Sequence, residues 1–158
     1  MSLRQPPSAK AEMLVRRPVA DVFEAFVDPA VTSRFWFTRG SGRLAPGARV
    51  TWHWDMYRFS VQVDVIALEP NRRIAIEWSA YGAPSRVEWV FRDRGDGTTF
   101  VSVTNTGFSG DDDDQVVQQA IGATEGFAFV LAGLKALLEH GVALNLVADR
   151  FPDGPPEG

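Results

Sequence analysis

The chain has 158 residues, of which 45% are hydrophobic and 23% are charged, and its formal net charge at pH 7 is −4. This length and composition suit one globular domain with a single core, and the acidic balance without a basic stripe argues against nucleic acid as a partner. Because the chain has no cysteine, disulfides, thiolate zinc sites and cysteine nucleophiles are excluded.

The N-terminal region predicts one strand followed by two short helices. Residues 8–17 are typical of a strand, and Pro18 suits the first turn of a helix. The apolar face of that helix has helical spacing and consists of Val19, Val22, Phe23 and Phe26. The helix should end at Asp28, because the residue before a proline avoids helical angles. We expect a second short helix over 30–35 and a loop over 40–47.

Alternating apolar and polar residues then predict an antiparallel meander. Breaks are expected near 56–58, at Pro70-Asn71, in a loop over 81–85 and at Asp96-Gly97. A register slip of one residue would expose a whole apolar face, and each large side chain turned to water would cost about 1.5–3 kcal/mol. The predicted inward set is Val50, Trp52, Trp54, Met56, Phe59, Val61, Val63, Val65, Ile74, Ile76, Trp78, Val87, Trp89, Phe91, Thr99, Val101 and Val103.

A long helix is predicted over residues 114–140. An aspartate of the preceding 111–114 run can cap it, and His140-Gly141 is a normal ending. Its apolar stripe consists of Ala120, Thr124, Phe127, Leu131, Leu134 and Leu138. A lone helix after a meander is expected to cross the apolar face of the sheet. We therefore expect an α+β domain over 8–148, with tails over 1–7 and 149–158.

The sheet and this helix could enclose a cavity, and its expected lining is the candidate ligand-binding site. The sheet side would be Trp52, Trp54, Trp78 and Trp89, the helix side would be Thr124, Phe127 and Leu131, and Trp36 would lie at the rim. An open pocket and a core filled by the same side chains need the same periodicity, so both interpretations remain. The Thr124 hydroxyl should bond back to a helix carbonyl, with ligand orientation as the alternative.

The sequence shows no convincing catalytic set, and we expect no metal and no cofactor. His53 and His140 lack the spacing of metal ligands. Glycine motifs for nucleotides and the serine elbow of hydrolases are missing from the sequence. Glu77 and Glu88 should lie on outward strand positions. Without a signal-like apolar start or an apolar run long enough to span a membrane, we expect a cytoplasmic protein with no membrane span.

Two segments resemble a known family. Residues 17–36, which begin Arg17-Pro18-Val19, and residues 125–141, which end in His140-Gly141, are similar to the opening and the last helix of the activator of heat-shock protein 90 ATPase homologue-like family. The resemblance spans residues 11–141. It implies the START-like (polyketide cyclase / birch-pollen-allergen-like) helix-grip fold, in which a curved antiparallel sheet wraps a long C-terminal helix. Members of that superfamily bind lipids, sterols, polyketides or plant hormones, and some are cyclases or dehydratases.

The leading functional hypothesis is a non-catalytic protein that binds a small hydrophobic molecule between the sheet and the helix. The resemblance also implies an alternative, a protein-interaction domain that stimulates a chaperone ATPase. A cyclase or dehydratase is a third interpretation, and it would need a buried His53 or Glu77 facing a cavity. The expected partners are therefore a small hydrophobic molecule and, by resemblance, a chaperone. A homodimer stays open, since Phe129 lies off the main helix stripe.

Overall fold

The computed structural model describes residues 5–154, so the outer parts of both predicted tails lie outside the described residues. Seven strands form one curved antiparallel sheet in the order β1-β7-β6-β5-β4-β3-β2. The strands are β1 (Ala9–Val15), β2 (Arg39–Gly40), β3 (Arg49–Trp54), β4 (Phe59–Glu69), β5 (Arg73–Tyr81), β6 (Ala83–Asp93) and β7 (Thr99–Thr106). The helices are α1 (Val19–Val27), α2 (Pro29–Thr32), α3 (Asp113–His140) and α4 (Leu146–Arg150).

The predicted helix pair after β1 is confirmed, with a shorter second helix than expected. Asp28 has an extended backbone that ends α1, and its carboxylate accepts a hydrogen bond of 3.0 Å from the Ala30 N–H at the start of α2. The buried Thr32 hydroxyl donates to the Ala25 carbonyl over 2.5 Å and to the Asp28 carbonyl over 3.0 Å. These bonds fix the angle between the helices and send the following residues toward the sheet.

The predicted inward face of the meander is confirmed except at Met56 and Phe59, which are 41% and 40% exposed. The chain leaves the pleat there, because a 3-10 turn at Asp55–Tyr57 is followed by Arg58 in the left-handed conformation, with φ of 50°. The expected loop over 81–85 is wrong. Tyr81 and Ala83 pair across a tight turn at Gly82, whose φ of 97° suits glycine.

The predicted long helix is confirmed as α3. The Asp112 carboxylate accepts a hydrogen bond of 2.8 Å from the Gln115 N–H, and Gly141 ends the helix with φ of 68°. By length and composition alone α3 could cross a membrane, but it packs over β1 and the rest of the sheet as the core helix of the domain. Of the predicted stripe, Thr124 and Leu138 are only half-buried, and the buried face also includes Ala123, Val130, Gly133 and Leu137.

A small polar network holds the C-terminal end of α3 against β1. The Lys135 ammonium donates to the Leu14 carbonyl over 2.8 Å and to the Glu139 carboxylate over 2.6 Å, and the same carboxylate accepts from the Arg16 N–H over 2.9 Å. Burial by itself would raise the pKa of Glu139. The hydrogen bonds from Lys135 and Arg16 outweigh burial and hold that pKa below its usual value.

Candidate functional site

The space between the sheet and α3 is largely filled by an aromatic cluster around Trp36. The segment after α2 turns inward, so that Phe35, Trp36 and Phe37 are all buried. Trp36 therefore lies at the centre of the cluster, and the expected rim position is wrong. Its ring centroid is between 4.9 and 6.0 Å from those of Trp52, Trp54, Trp78, Trp89 and Phe127.

A small cavity of about 110 Å³ remains between β5 and the N-terminal half of α3. An engineered apolar cavity of about 150 Å³ holds benzene, so this space has the scale of one aromatic ring. Its principal lining consists of Trp36, Trp78, Tyr81, Gly122, Gly126 and Phe127. Side chains therefore fill the interior around Trp36, whereas the part between β5 and the N-terminal half of α3 stays open. Each of the two interpretations from the sequence describes one of these parts.

The structure places the predicted site residues in three locations: the cavity, the core behind it and a separate surface groove. Trp36, Trp78 and Phe127 line the cavity. Trp52, Trp54, Trp89 and Leu131 are buried in the core behind it. Thr124 lies on a different surface groove, beside Ile121 and Pro7, and its hydroxyl donates to the Ala120 carbonyl over 2.8 Å as expected.

Two glycines of α3 are among the lining residues that the sequence analysis missed, together with Tyr81, Ala123, Val130 and Val147. A Cβ atom added at Gly122 or Gly126 would meet no described atom within 4 Å, apart from neighbouring residues and the helix's own backbone. At Gly133, further along the same helix, the added Cβ would lie 3.3 Å from the Phe35 carbonyl oxygen. Gly133 is thus explained by close packing, whereas Gly122, which is exposed, and Gly126, which is half-buried, have open space in front of them. Their spacing of four residues inside an apolar helix was the available sequence signal.

The polar groups of the lining are few and uncharged. The Trp78 side chain is buried, and its indole N–H has no hydrogen-bond partner among the described residues. Burial raises the pKa of the Tyr81 phenol to about 12, so this group stays neutral near pH 7. The two groups required by an enzymatic interpretation lie elsewhere, with Glu77 exposed on the outer face of β5 and His53 half-buried on the face of β3 opposite its tryptophans.

The cavity is covered by α4, which the sequence analysis did not predict. Residues 141–145 run exposed along α3, and Val147 of α4 then lines the cavity. The Tyr57 hydroxyl donates to the Val147 carbonyl, and the Phe151 ring meets the Tyr57 ring edge-on at 6.2 Å. A second space of about 440 Å³, which Phe129 also borders, lies on the other side of Val147.

An ion pair completes the attachment of the C-terminal segment. Arg150 pairs with Glu125 on α3, and its guanidinium also lies 4.3 Å from the centre of the Phe151 ring. Every residue of α4 is half-buried or exposed, and Val147 is the α4 residue that packs against the main core.

A curved antiparallel sheet wrapped around a long C-terminal helix, with a helix pair after the first strand, defines the START-like helix-grip class. Within that class, the family model described as activator of Hsp90 ATPase homolog 1-like protein matches residues 16–139. The chain therefore belongs to this family. Among curated proteins there is no significant match.

Solved structures agree with this assignment. The protein SSP2350 from Staphylococcus saprophyticus is 34% identical and superposes with a TM-score of 0.72, and the match covers 87% of this chain and 95% of that one. The Aha1 dimer from Colwellia psychrerythraea, at 16% identity, has a TM-score of 0.68 over 85% of this chain and 97% of its own. The di-domain ARO/CYC protein BexL from the BE-7585A biosynthetic pathway, at 17% identity, has a TM-score of 0.73 over 84% of this chain and 46% of its own. The last two similarities concern the fold alone.

Proposed function

We propose that the protein binds a small hydrophobic molecule in the cavity between the sheet and α3, with α4 covering the site. The observation that carries the proposal is the space of about 110 Å³ that is lined by Trp36, Trp78 and Phe127 and bordered by Gly122 and Gly126, which add no side chain to it. Each glycine inside a helix costs about 1 kcal/mol relative to alanine. No close contact of the described residues requires glycine at positions 122 and 126. A bound molecule that occupied this space would explain why glycine is present there.

The protein would hold the ligand non-covalently and would not convert it chemically. The ligand would stack against the rings of Trp36, Trp78 and Phe127, and burial of its apolar surface would supply most of the affinity. The neighbouring space beneath α4 would accept a longer ligand if Val147 moved. No acid–base pair lies on the cavity lining within residues 5–154, and so the geometry favours binding over a cyclase or dehydratase reaction.

A leucine at position 126 provides the test, because its side chain would project into the cavity. Purified wild-type protein and Gly126→Leu are titrated with ethylbenzene, naphthalene, laurate and cholesterol by calorimetry and tryptophan fluorescence. We expect at least one probe to bind the wild type and to bind the variant at least about tenfold more weakly. Gly42→Leu is the matched control, since a Cβ there also meets no described atom within 4 Å but lies in the loop before β3. Equal binding to both variants would refute the proposal.

A second candidate function, stimulation of a chaperone ATPase, is supported by the description of the matching family. Purified protein would then accelerate ATP hydrolysis by an Hsp90-type chaperone and co-purify with it at micromolar concentration. Gly126→Leu should leave such stimulation unchanged, because the chaperone contacts would use a part of the surface away from this cavity. The solved Colwellia structure is a dimer, so light scattering of this protein would test the homodimer in the same preparation.

A further inference from the structure

We propose that the Val147 side chain determines the length of the hydrophobic molecule that the cavity admits. This inference rests on the proposed function and assigns its size selection to one residue of α4. With valine at position 147 the site takes a molecule of about one ring, and a smaller side chain there lets it take a ring with an alkyl extension. The basis is the position of Val147 among three neighbouring spaces.

Val147 is the described residue that these three spaces have in common. It borders the cavity of about 110 Å³ and also the space of about 440 Å³ next to it. The third space, of about 170 Å³, lies between α4 and the segment that follows α2, and Trp36 borders it as well. A single side chain that borders all three spaces is placed to separate them.

The helix opposite Val147 adds no side chain where the two larger parts of this region meet. The α3 residues that border both the cavity and the space of about 440 Å³ are Gly122 and Gly126. A Cβ atom added at either glycine would meet no described atom within 4 Å, apart from neighbouring residues and the helix's own backbone. The size of the side chain at position 147 therefore determines how far the two spaces join.

Backbone contacts hold Val147 in this position. Its carbonyl oxygen accepts the hydrogen bond from the Tyr57 hydroxyl, and the Asp149 N–H donates to the Asn145 carbonyl over 2.9 Å. The Val147 side chain is half-buried and packs against the main core. Because both hydrogen bonds use backbone groups of the C-terminal segment, a different side chain at position 147 changes the size of the junction and leaves these bonds available.

The affinity gained from an alkyl extension measures whether the junction is open. Each methylene group that moves from water into an apolar space raises the affinity about fourfold, provided that it finds room. In the wild type, an alkyl chain on a ring that fills the cavity meets Val147, so most of this gain is lost. In Val147→Ala the chain enters the neighbouring space, and the gain is retained.

Ethylbenzene and butylbenzene are the probes, because they differ by two methylene groups and neither carries a polar group. Their binding to the full chain is measured by calorimetry and tryptophan fluorescence. We expect the wild type to bind butylbenzene at most about threefold more tightly than ethylbenzene, and Val147→Ala to bind it about tenfold more tightly. The affinity of the variant for ethylbenzene should stay within about threefold of the wild-type value.

Two control variants separate the size of the junction from a loosened α4. Val147→Thr keeps the branched shape of valine, while its hydroxyl weakens the apolar packing. Val142→Ala removes the same atoms from an exposed residue that borders none of the three spaces. Both controls should keep the wild-type preference between the two probes.

The outcomes distinguish this inference from the proposed function. An unchanged preference in Val147→Ala, or an equal gain in Val147→Thr, would overturn the inference while the cavity remained a binding site. If neither probe binds any of these proteins, the proposed function fails together with this inference.

Discussion

Replacing Gly126 with alanine should stabilise the protein, and this is the most direct test of the empty space beside α3. The added Cβ would meet no described atom within 4 Å beyond the helix's own backbone and the neighbouring residues, so no steric cost opposes the change. The gain from helix propensity is about 1 kcal/mol. A methyl group without close contacts adds little to this value, because dispersion falls off steeply with distance.

Gly133→Ala is the matched comparison on the same helix. Its Cβ would lie 3.3 Å from the Phe35 carbonyl oxygen and 3.4 Å from the Phe35 Cβ. The propensity gain is the same, but the tight contact with the segment after α2 opposes it. We therefore expect Gly133→Ala to be neutral or destabilising by about 1 kcal/mol, within the usual cost of overpacking.

Urea unfolding followed by circular dichroism measures both variants. For a urea m-value of about 1–3 kcal/mol/M, the gain in Gly126→Ala corresponds to a midpoint about 0.3–1 M higher. The result that would refute the reasoning is a midpoint below the wild type in Gly126→Ala. Residue 126 would then pack as closely as residue 133, and the cavity would not exist in solution.

Three further predictions concern the Glu139 network, the burial of Tyr81 and the covering of the cavity by α4. Glu139→Gln should destabilise the protein at pH 7 by about 1–3 kcal/mol, because Lys135 loses its charged acceptor. Since the folded pKa of Glu139 is lowered, its contribution is present above the ordinary glutamate pKa of about 4.3 and is lost as the pH falls through the folded value. The wild-type and variant denaturation curves should thus converge only as the pH falls below the folded pKa of Glu139, and a gap that persists in strong acid would contradict this. In a Tyr57→Phe background, phenolate absorbance should report Tyr81 with a midpoint at about 12, and a midpoint at the ordinary value of about 10 would mean an exposed phenol. Truncation after Gly141 should leave the far-ultraviolet spectrum nearly unchanged and increase the binding of an apolar dye, and an unchanged dye signal would show that α4 does not cover the cavity.

The parts of the fold that were predictable from the sequence are those fixed by periodicity. Trp52 and Trp54 alternate with polar residues in β3, and Trp78 in β5 and Trp89 in β6 each lie two residues from another buried apolar residue of the same strand, so one buried face accounts for them all. The caps of α3 were equally readable, since aspartates before a helix and a glycine after it have direct roles in hydrogen bonding and backbone geometry. Such signals are local, so they can be recognised in the sequence without knowledge of the tertiary structure.

The features that were not predictable depend on contacts between distant segments. Nothing in the sequence around Trp36 indicates that the segment after α2 folds into the middle of the aromatic cluster. The return of α4 along α3 is equally nonlocal, because it relies on Tyr57, which is 90 residues before Val147. All but one of the expected ligand-binding residues do lie in the layer between sheet and helix, but their role stays a prediction, and the cavity within that layer is bordered by Gly122 and Gly126.

The weak attachment of α4 determines how large a ligand the proposed site can admit. Its hydrogen bond from Tyr57 is worth about 1 kcal/mol, the exposed ion pair between Arg150 and Glu125 at most about 1 kcal/mol, and the edge-on ring contact of Phe151 about 0.5–1.5 kcal/mol. Together these contacts are weaker than the global stability of about 5–15 kcal/mol expected for a domain. Local detachment of α4 is therefore accessible while the sheet and α3 remain folded. At the proposed site, a single ring would therefore fit beneath the closed segment, whereas a longer molecule would require α4 to open.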